Sequence, residues 1–189
     1  MDTKGNRMLK TQVLYEVGIE KQVLILRDGS ERNYPETLSN GRANYIVFEW
    51  LIRDLAGLTK TTGSDSKDSM GRTYEQKAYK DPELHPNDDD LFRVSSSSTF
   101  GANNYGPLVN RLVKTGNYAE AFDIVNQTGY SKNDFYILTN TGGFTPSIPL
   151  RFVILEKELL VSNLDKFDPR LISKNVILNN IIKTKIVLI

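Results

Sequence analysis

Residues 63–77 read GSDSKDSMGRTYEQK, with Asp65 near one end and Glu75 and Lys77 at the other. Gly71 marks a turn, and residues 73–79 (TYEQKAY) alternate as a strand does. Side chains alternate between the two faces of a strand, so Glu75 and Lys77 share a face. A turn near Gly71 folds the Asp65 segment back beside them. Two carboxylates and one ammonium then converge at a sheet end. Magnesium prefers hard oxygen ligands and takes one or two carboxylates, with water and phosphate oxygens in its other positions. It lowers the pKa of a bound water and offsets charge in the transition state. The grouping therefore suits metal-assisted phosphodiester hydrolysis. Asp65 and Glu75 are the expected ligands, the Gln76 backbone carbonyl would complete the shell, and Lys77 would hold the attacking water or neutralise the phosphate.

Spacing by itself is a weak signal. At ordinary residue frequencies, Asp-x9-(Asp/Glu)-x-Lys arises by chance in about one chain in ten of this length, and a solvated charged hairpin is the competing reading. Two other acid-x-Lys triplets exist, Asp2-Thr3-Lys4 and Asp65-Ser66-Lys67. The first has no acid before it, and the second has only Asp54, inside a predicted helix.

Outward from this hairpin, residues 42–57 (RANYIVFEWLIRDLAG) give the clearest helix. Ala43, Ile46, Val47, Trp50, Leu51 and Leu55 form one stripe, and Gly57 stands at the C-cap. Residues 7–17 place Met8, Leu9, Val13, Leu14 and Val17 at helical spacing and predict a short amphipathic helix. Residues 21–34 read as a hairpin around Arg27-Asp28-Gly29-Ser30. Downstream come a strand at 91–96, helices at 106–115 and 117–127 ended by Gly116 and Gly129, and strands at 134–139 and 150–155. A short helix at 156–161 and apolar β-like pieces at 175–178 and 185–189 follow. This order predicts an α/β (mixed α+β) fold around a mixed central sheet, and 189 residues fit one domain.

Composition bounds the function classes. Hydrophobic residues make up 39% and charged residues 25%, as in a soluble globular protein. No apolar run approaches the ~20 residues of a membrane helix, and Met1–Met8 lacks the apolar core of an export signal. The absence of cysteine excludes disulfides, thiolate zinc sites and cysteine nucleophiles. These features point to the cytoplasm. Net charge is +1, from 24 basic and 23 acidic residues, which is neutral on nucleic acid. An acidic loop holds Asp81, Glu83 and Asp88-Asp89-Asp90, whereas the stretch from Arg170 to Lys185 is basic. The lone histidine, His85, excludes multi-histidine metal sites. No GxSxG supports serine hydrolysis, and no P-loop implies ATP.

The stretch GSDSKDSMGRTYEQK also resembles, without a gap, the active-site hairpin of type II restriction endonucleases in the PD-(D/E)xK nuclease superfamily. Gly63, Asp65, Asp68, Gly71, Tyr74, Glu75 and Lys77 carry the match. It extends over residues 40–189 through the preceding helix, the Ser98-Thr99 segment with its Asn-bearing loop and helix, the two later strands and the tail KNVILNNIIKTKIVLI. The resemblance implies a restriction-endonuclease-like central mixed β-sheet flanked by helices. Residues 1–41 would be an N-terminal dimerisation subregion and 42–189 the catalytic core and DNA-recognition region. It implies an Mg²⁺-dependent homodimer that cuts palindromic double-stranded DNA to 5′-phosphate ends, with Asp65 and Glu75 as metal ligands and Lys77 as catalytic lysine.

Glu49, on the helix before the hairpin, is a further candidate ligand or simply a solvated residue. Asp68 is either a supporting group or a turn residue. Ser97, Ser98, Thr99, Asn103 and Asn104 are candidate DNA contacts, since hydroxyls and amides bond base edges and phosphates. Arg170, Lys174 and Asn175 join them from the tail region, followed by Lys183 and Lys185, with Arg93 and Arg111 behind. The histidine run that reads bases in the resembling enzymes is absent, and Phe100-Gly101-Ala102 stands near its place. A different target sequence follows. Segments 81–90 and 117–127 look like insertions. Two alternatives stay open: another nuclease of the superfamily, such as a nicking repair enzyme or junction resolvase, and a non-catalytic DNA-binding or toxin–antitoxin-type protein.

Overall fold

A computed structural model describes residues 9–19, 23–25, 31–33, 44–79, 91–93, 105–140, 150–173 and 183–188. Its strands are β1 (Leu14–Ile19), β2 (Val23–Ile25), β3 (Glu31–Asn33), β4 (Thr59–Lys60), β5 (Ser66–Lys67) and β6 (Thr73–Tyr79). β7 (Leu91–Arg93), β8 (Phe135–Asn140), β9 (Leu150–Glu156), β10 (Leu171–Ser173) and β11 (Lys183–Leu188) follow. The helices are α1 (Asn44–Leu55), α2 (Gly106–Lys114), α3 (Tyr118–Thr128) and α4 (Lys157–Ser162), with a 3₁₀ turn at Tyr130–Lys132.

One seven-stranded sheet has the order β11-β1-β9-β8-β6-β5-β4. β6 pairs with β8, and β1 with β11, in parallel; the other neighbours are antiparallel. The sheet is therefore mixed. β10–β7 and β2–β3 form separate two-stranded pairs, the latter at the hairpin expected for 21–34.

β8 (FYILTN) and β9 (LRFVILE) are nearly continuous apolar runs because helices cover both faces of the sheet. Tyr136, Leu138, Val153, Leu155 and Leu14 point to one face and pack against Val109, Leu112, Ala121, Val125 and Leu160 of α2, α3 and α4. Tyr74, Ile137, Phe152, Ile154, Tyr15 and Val17 point to the other and pack against Leu51 and Ile52 of α1. The result is three layers, α/β/α.

α1 confirms the helix expected over 42–57, and its stop is local chemistry. The Gly57 N–H donates to the Asp54 carbonyl (3.2 Å) and the Leu58 N–H to the Arg53 carbonyl (2.8 Å). This double bond pattern needs a left-handed residue after the helix, and Gly57 has φ +69°. Leu58 then turns the chain into β4, which leads to β5 and β6.

Of the helix expected at 7–17, the described part, residues 9–17, is not helical. Residues 14–19 are instead β1, an interior strand between β9 and β11. Val13, Tyr15 and Val17 face the α1 side while Leu14 faces the α2–α4 side. A strand buried on both faces carries apolar residues at successive positions, and such a run also satisfies helical spacing. Gln12, at φ +60°, breaks any helix there, and its N–H donates to the Ile154 carbonyl at 2.8 Å. The expected pieces at 94–96 and 175–178, and the acidic loop 81–90, lie outside the described residues. No helix among the described residues is long and apolar enough to cross a membrane.

Phe152 is fully buried and stacks on Tyr15, centroids 5.1 Å apart. Phe152→Ala should cost about 3–5 kcal/mol of stability, the usual range for a deleted core aromatic. Urea denaturation followed by circular dichroism measures it.

Candidate active site

The hairpin that carries the sequence motif is closed by a short hydrogen-bonded turn. The Gly71 N–H donates to the Asp68 carbonyl (3.1 Å) and the Asp68 N–H to the Arg72 carbonyl (3.0 Å). Gly71 has φ +81°, a left-handed conformation that a side chain would strain. β5 and β6 then pair with Ser66 opposite Tyr74 and Lys67 opposite Thr73. One step beyond Ser66–Tyr74, the same register brings Asp65 beside Glu75.

At that step the backbone ladder ends and a side chain takes over. Asp65 Oδ2 accepts the Gln76 N–H at 2.6 Å, the bond a continued β5 would otherwise have taken. The N–H and C=O of one strand residue point to the same edge, so the Gln76 carbonyl is also directed to the Asp65 side. Glu75 and Lys77 project from the opposite face to Tyr74, their registers matched to Tyr136 and Leu138 of β8. Lys77 Nζ lies 2.5 Å from Glu75 Oε1, and the two side chains are only 18% and 23% exposed. From the α1 side, the Gln76 side-chain amide donates to the Glu49 carbonyl (3.0 Å).

Glu49, Asp65, Glu75, Gln76 and Lys77 line one cleft of ≈ 200 Å³, together with Ala78 and Thr139. The motif residues expected to converge do converge. Burial pushes the Asp65 carboxyl above its ordinary 3.8, and the Glu75 charge adds to the rise, against the Gln76 N–H, Lys77 and Arg53. Burial likewise raises Glu49, with Asp65 next in importance. Three carboxylates thus crowd a cleft that Lys77 and Arg53 only partly neutralise. Such a site gains from a cation.

The donor set fits magnesium: two facing carboxylates and a peptide carbonyl on the same edge are hard oxygens. Among the described residues, no three His, Cys, Asp or Glu side chains are grouped closely enough to hold a metal by themselves. Asp65, Glu75 and the Gln76 carbonyl are the groups that would hold the ion, with water or phosphate in its other positions. Glu49 stands on the cleft wall, its carboxylate 3.2 Å from Arg53 Nη1. That pairing holds its side chain on the wall of the cleft that Asp65 and Glu75 also line.

Asp68 lies outside the cleft. Burial opposes its charge, yet hydrogen bonds from Arg72 and Met70 outweigh that and hold its carboxyl below 3.8. Thr139 was not singled out in the sequence, where DFYILT reads simply as a β-branched strand. Its hydroxyl is buried, borders the cleft and has no hydrogen-bond partner among the described residues.

Arg170, an expected DNA contact, is 4% exposed. Its Nε and Nη2 donate to the two Asp168 carboxylate oxygens, both at 2.7 Å, and its Nη1 donates to Asn110 Oδ1 of α2. It holds the loop before β10 against α2 and offers nothing to an outside ligand. The basic run in the sequence concealed this, because charge pattern alone does not separate a buried guanidinium from an exposed one. Arg111 is exposed on α2. Arg93 lies in β7, and Lys183 and Lys185 in the edge strand β11. Ser97, Ser98, Thr99, Asn103, Asn104, Lys174, Asn175 and His85 lie outside the described residues.

A raised folded-state pKa means that ionised Asp65 opposes folding. Its penalty is absent well below pH 3.8, where the carboxyl is protonated folded or unfolded, grows as pH rises from 3.8 through the raised folded value, and is fully present above it. Asp65→Asn keeps an acceptor for the Gln76 N–H and removes the charge. The metal-free variant should melt a few degrees above the parent at pH 7, on a scale of about 2–4 °C per kcal/mol for a chain this size. The gain should vanish on acidification. Scanning calorimetry across pH checks both, and a lower Tm at pH 7 would contradict the electrostatics.

Searches of family models, curated proteins and solved structures found no match to this chain.

Proposed function

We propose that the cleft hydrolyses phosphodiester bonds of double-stranded DNA with Mg²⁺, in the manner of a type II restriction endonuclease. The observation that carries this reading is the convergence of Asp65, from the bend before β5, with Glu75 and Lys77 of β6 on one half-buried cleft. The same proposal takes the mixed sheet with its α1–hairpin–β8 order to be restriction-endonuclease-like. Perturbed carboxylates gathered in a cleft are characteristic of functional sites.

A bound Mg²⁺ would supply Lewis acidity toward the phosphate and acidify its water. The chain supplies the rest. Asp65 and Glu75 present the anionic oxygens, and the Gln76 N–H fixes the Asp65 carboxylate in orientation. Lys77, held against Glu75, is the cation within reach of charge that builds on a phosphate during attack. Partial burial strengthens that interaction relative to water. Glu49, paired with Arg53, keeps the far wall negative and polar.

A homodimer follows from the proposed substrate, since a two-fold protein matches a palindromic duplex and brings one cleft to each strand. Ser97, Ser98, Thr99, Asn103, Asn104, Lys174 and Asn175 remain the proposed base and phosphate contacts, and 5′-phosphate ends the proposed products. Phosphate contacts make binding weaken as salt rises.

Incubating the protein with phage DNA and Mg²⁺ should give discrete fragments, and chelation should abolish them. Asp65→Ala and Lys77→Ala should each lower the rate by about 10²-fold or more, the scale of losing one preorganised charge-stabilising group. Nicks or unselective cutting would move the assignment to another nuclease of the same chemistry. No cleavage with any divalent cation would overturn it.

A further inference from the structure

The β5–β6 pairing that aligns the cleft consists of two residue pairs, Ser66–Tyr74 and Lys67–Thr73. A ladder so short does not secure its own register, and a one-residue slip sends every side chain to the other face. Asp65 would then leave Glu75. Some other group must fix the hairpin, and one carboxylate just past β5 is placed to do so.

Asp68 sits three residues after Asp65 with its side chain 3% exposed. Its Oδ1 accepts the N–H groups of Met70 (2.9 Å) and Arg72 (3.0 Å) across the turn. Its Oδ2 accepts Arg72 Nε (2.7 Å) and the Tyr74 hydroxyl (3.3 Å) from the start of β6. The two donors on the β6 side are themselves seated on β8. The Tyr74 ring stacks on Phe135 with centroids 4.8 Å apart, and the Arg72 guanidinium lies 5.0 Å from the centre of the same ring. Asp134 completes the anchor by accepting the Thr73 N–H (2.8 Å) and hydroxyl (3.0 Å). Asp68 therefore joins the end of β5, the turn and a β6 already locked to the core strand.

We propose that Asp68 is a positioning residue for the cleft: by clamping Arg72 and Tyr74 it sets the register that brings the Asp65 carboxylate to the Gln76 N–H and beside Glu75. It is not among the residues that line the cleft. The inference rests on the nuclease reading for its consequence in catalysis, but its geometric content stands apart from that reading. Groups that orient ligands in this way are worth about 10–100-fold in metal affinity or activity when removed.

The test compares the parent with Asp68→Asn and Tyr74→Phe, well below their melting temperatures. Amide hydrogen exchange reads the Gln76 N–H, whose acceptor is Asp65, against the Ile137 and Phe152 amides of the core strands. In Asp68→Asn, Gln76 exchange should accelerate about tenfold or more while the core amides keep their rates. The Mg²⁺ concentration for half-maximal DNA cleavage should rise about 10–100-fold, with most of the rate recovered at saturating metal. Tyr74→Phe, which removes one of the four bonds, should move both readouts in the same direction by less. If Asp68→Asn does not fold, Arg72→Met takes its place with the same expected pattern. An unchanged Gln76 rate in the folded variant, or equal acceleration of all amides, overturns the positioning role. A parent protein that never cleaves DNA removes the nuclease reading alone, and the exchange comparison still decides the inference.

Discussion

The parallel ladder between β6 and β8 is the constraint on which the cleft depends. Six registered pairs, from Tyr74–Phe135 to Tyr79–Asn140, tie a charged hairpin to a strand that is buried on both faces. Parallel strands are seldom left uncovered, and here the cover is α1 on one side and α2 to α4 on the other. The charged segment thereby inherits the rigidity of the core without entering it. Glu75 and Lys77 sit in register with Tyr136 and Leu138, so their position is set by residues that have no room to shift. A site built on strands in this way holds tighter geometry than one built on loops.

Where the ladder stops, the sheet leaves an edge, and the site occupies it. The Asp65 carboxylate takes the N–H that β5 no longer covers, which satisfies one edge donor and orients one carboxylate in a single bond. The arrangement carries a cost. Asp65 and Glu49 are both displaced toward their neutral forms by burial and by like charge. In the metal-free chain this local repulsion opposes folding, and the apolar packing of both sheet faces offsets it. Stability is surrendered where negative charge is concentrated, a common trade at working sites.

Much of this was legible from the sequence, for reasons that were local. Gly71 marks a turn because its backbone conformation excludes a side chain, and β6 is visible as strict alternation. α1 shows as a stripe with a glycine stop, and α2 and α3 follow the same logic within a residue at their ends. The adjacency of Asp65, Glu75 and Lys77 followed from one turn and one alternation. What failed depended on distant partners. β1 was read as a helix because a strand covered on both faces shows no alternation. Arg170 was read as a surface cation because Asp168 and Asn110, which bury it, are recognisable only once β10 packs against α2. Thr139 gave no signal, since a cleft-facing hydroxyl and a strand-forming threonine look alike in one sequence.

The sequence left two readings of the hairpin in balance, a solvated charged turn and a catalytic one, and burial now weighs between them. A solvated hairpin keeps its carboxylates at ordinary acidity, because water screens each charge at little cost. Here Glu75 and Lys77 are less than a quarter exposed and Asp65 is displaced upward, with Glu49 brought in from a separate helix to add a further negative charge. Nothing in the packing of the sheet requires that crowding. A neutral acceptor such as asparagine at 65 would keep the Gln76 bond, and alanine at 75 would remove the second charge, with the fold's two apolar faces unchanged. Charge retained against its own electrostatic cost, at one end of a rigid ladder and open to a cleft, is what the proposed function would explain. Oxygen donors and a lysine so arranged have the chemistry to take a hard divalent cation with a phosphate beside it.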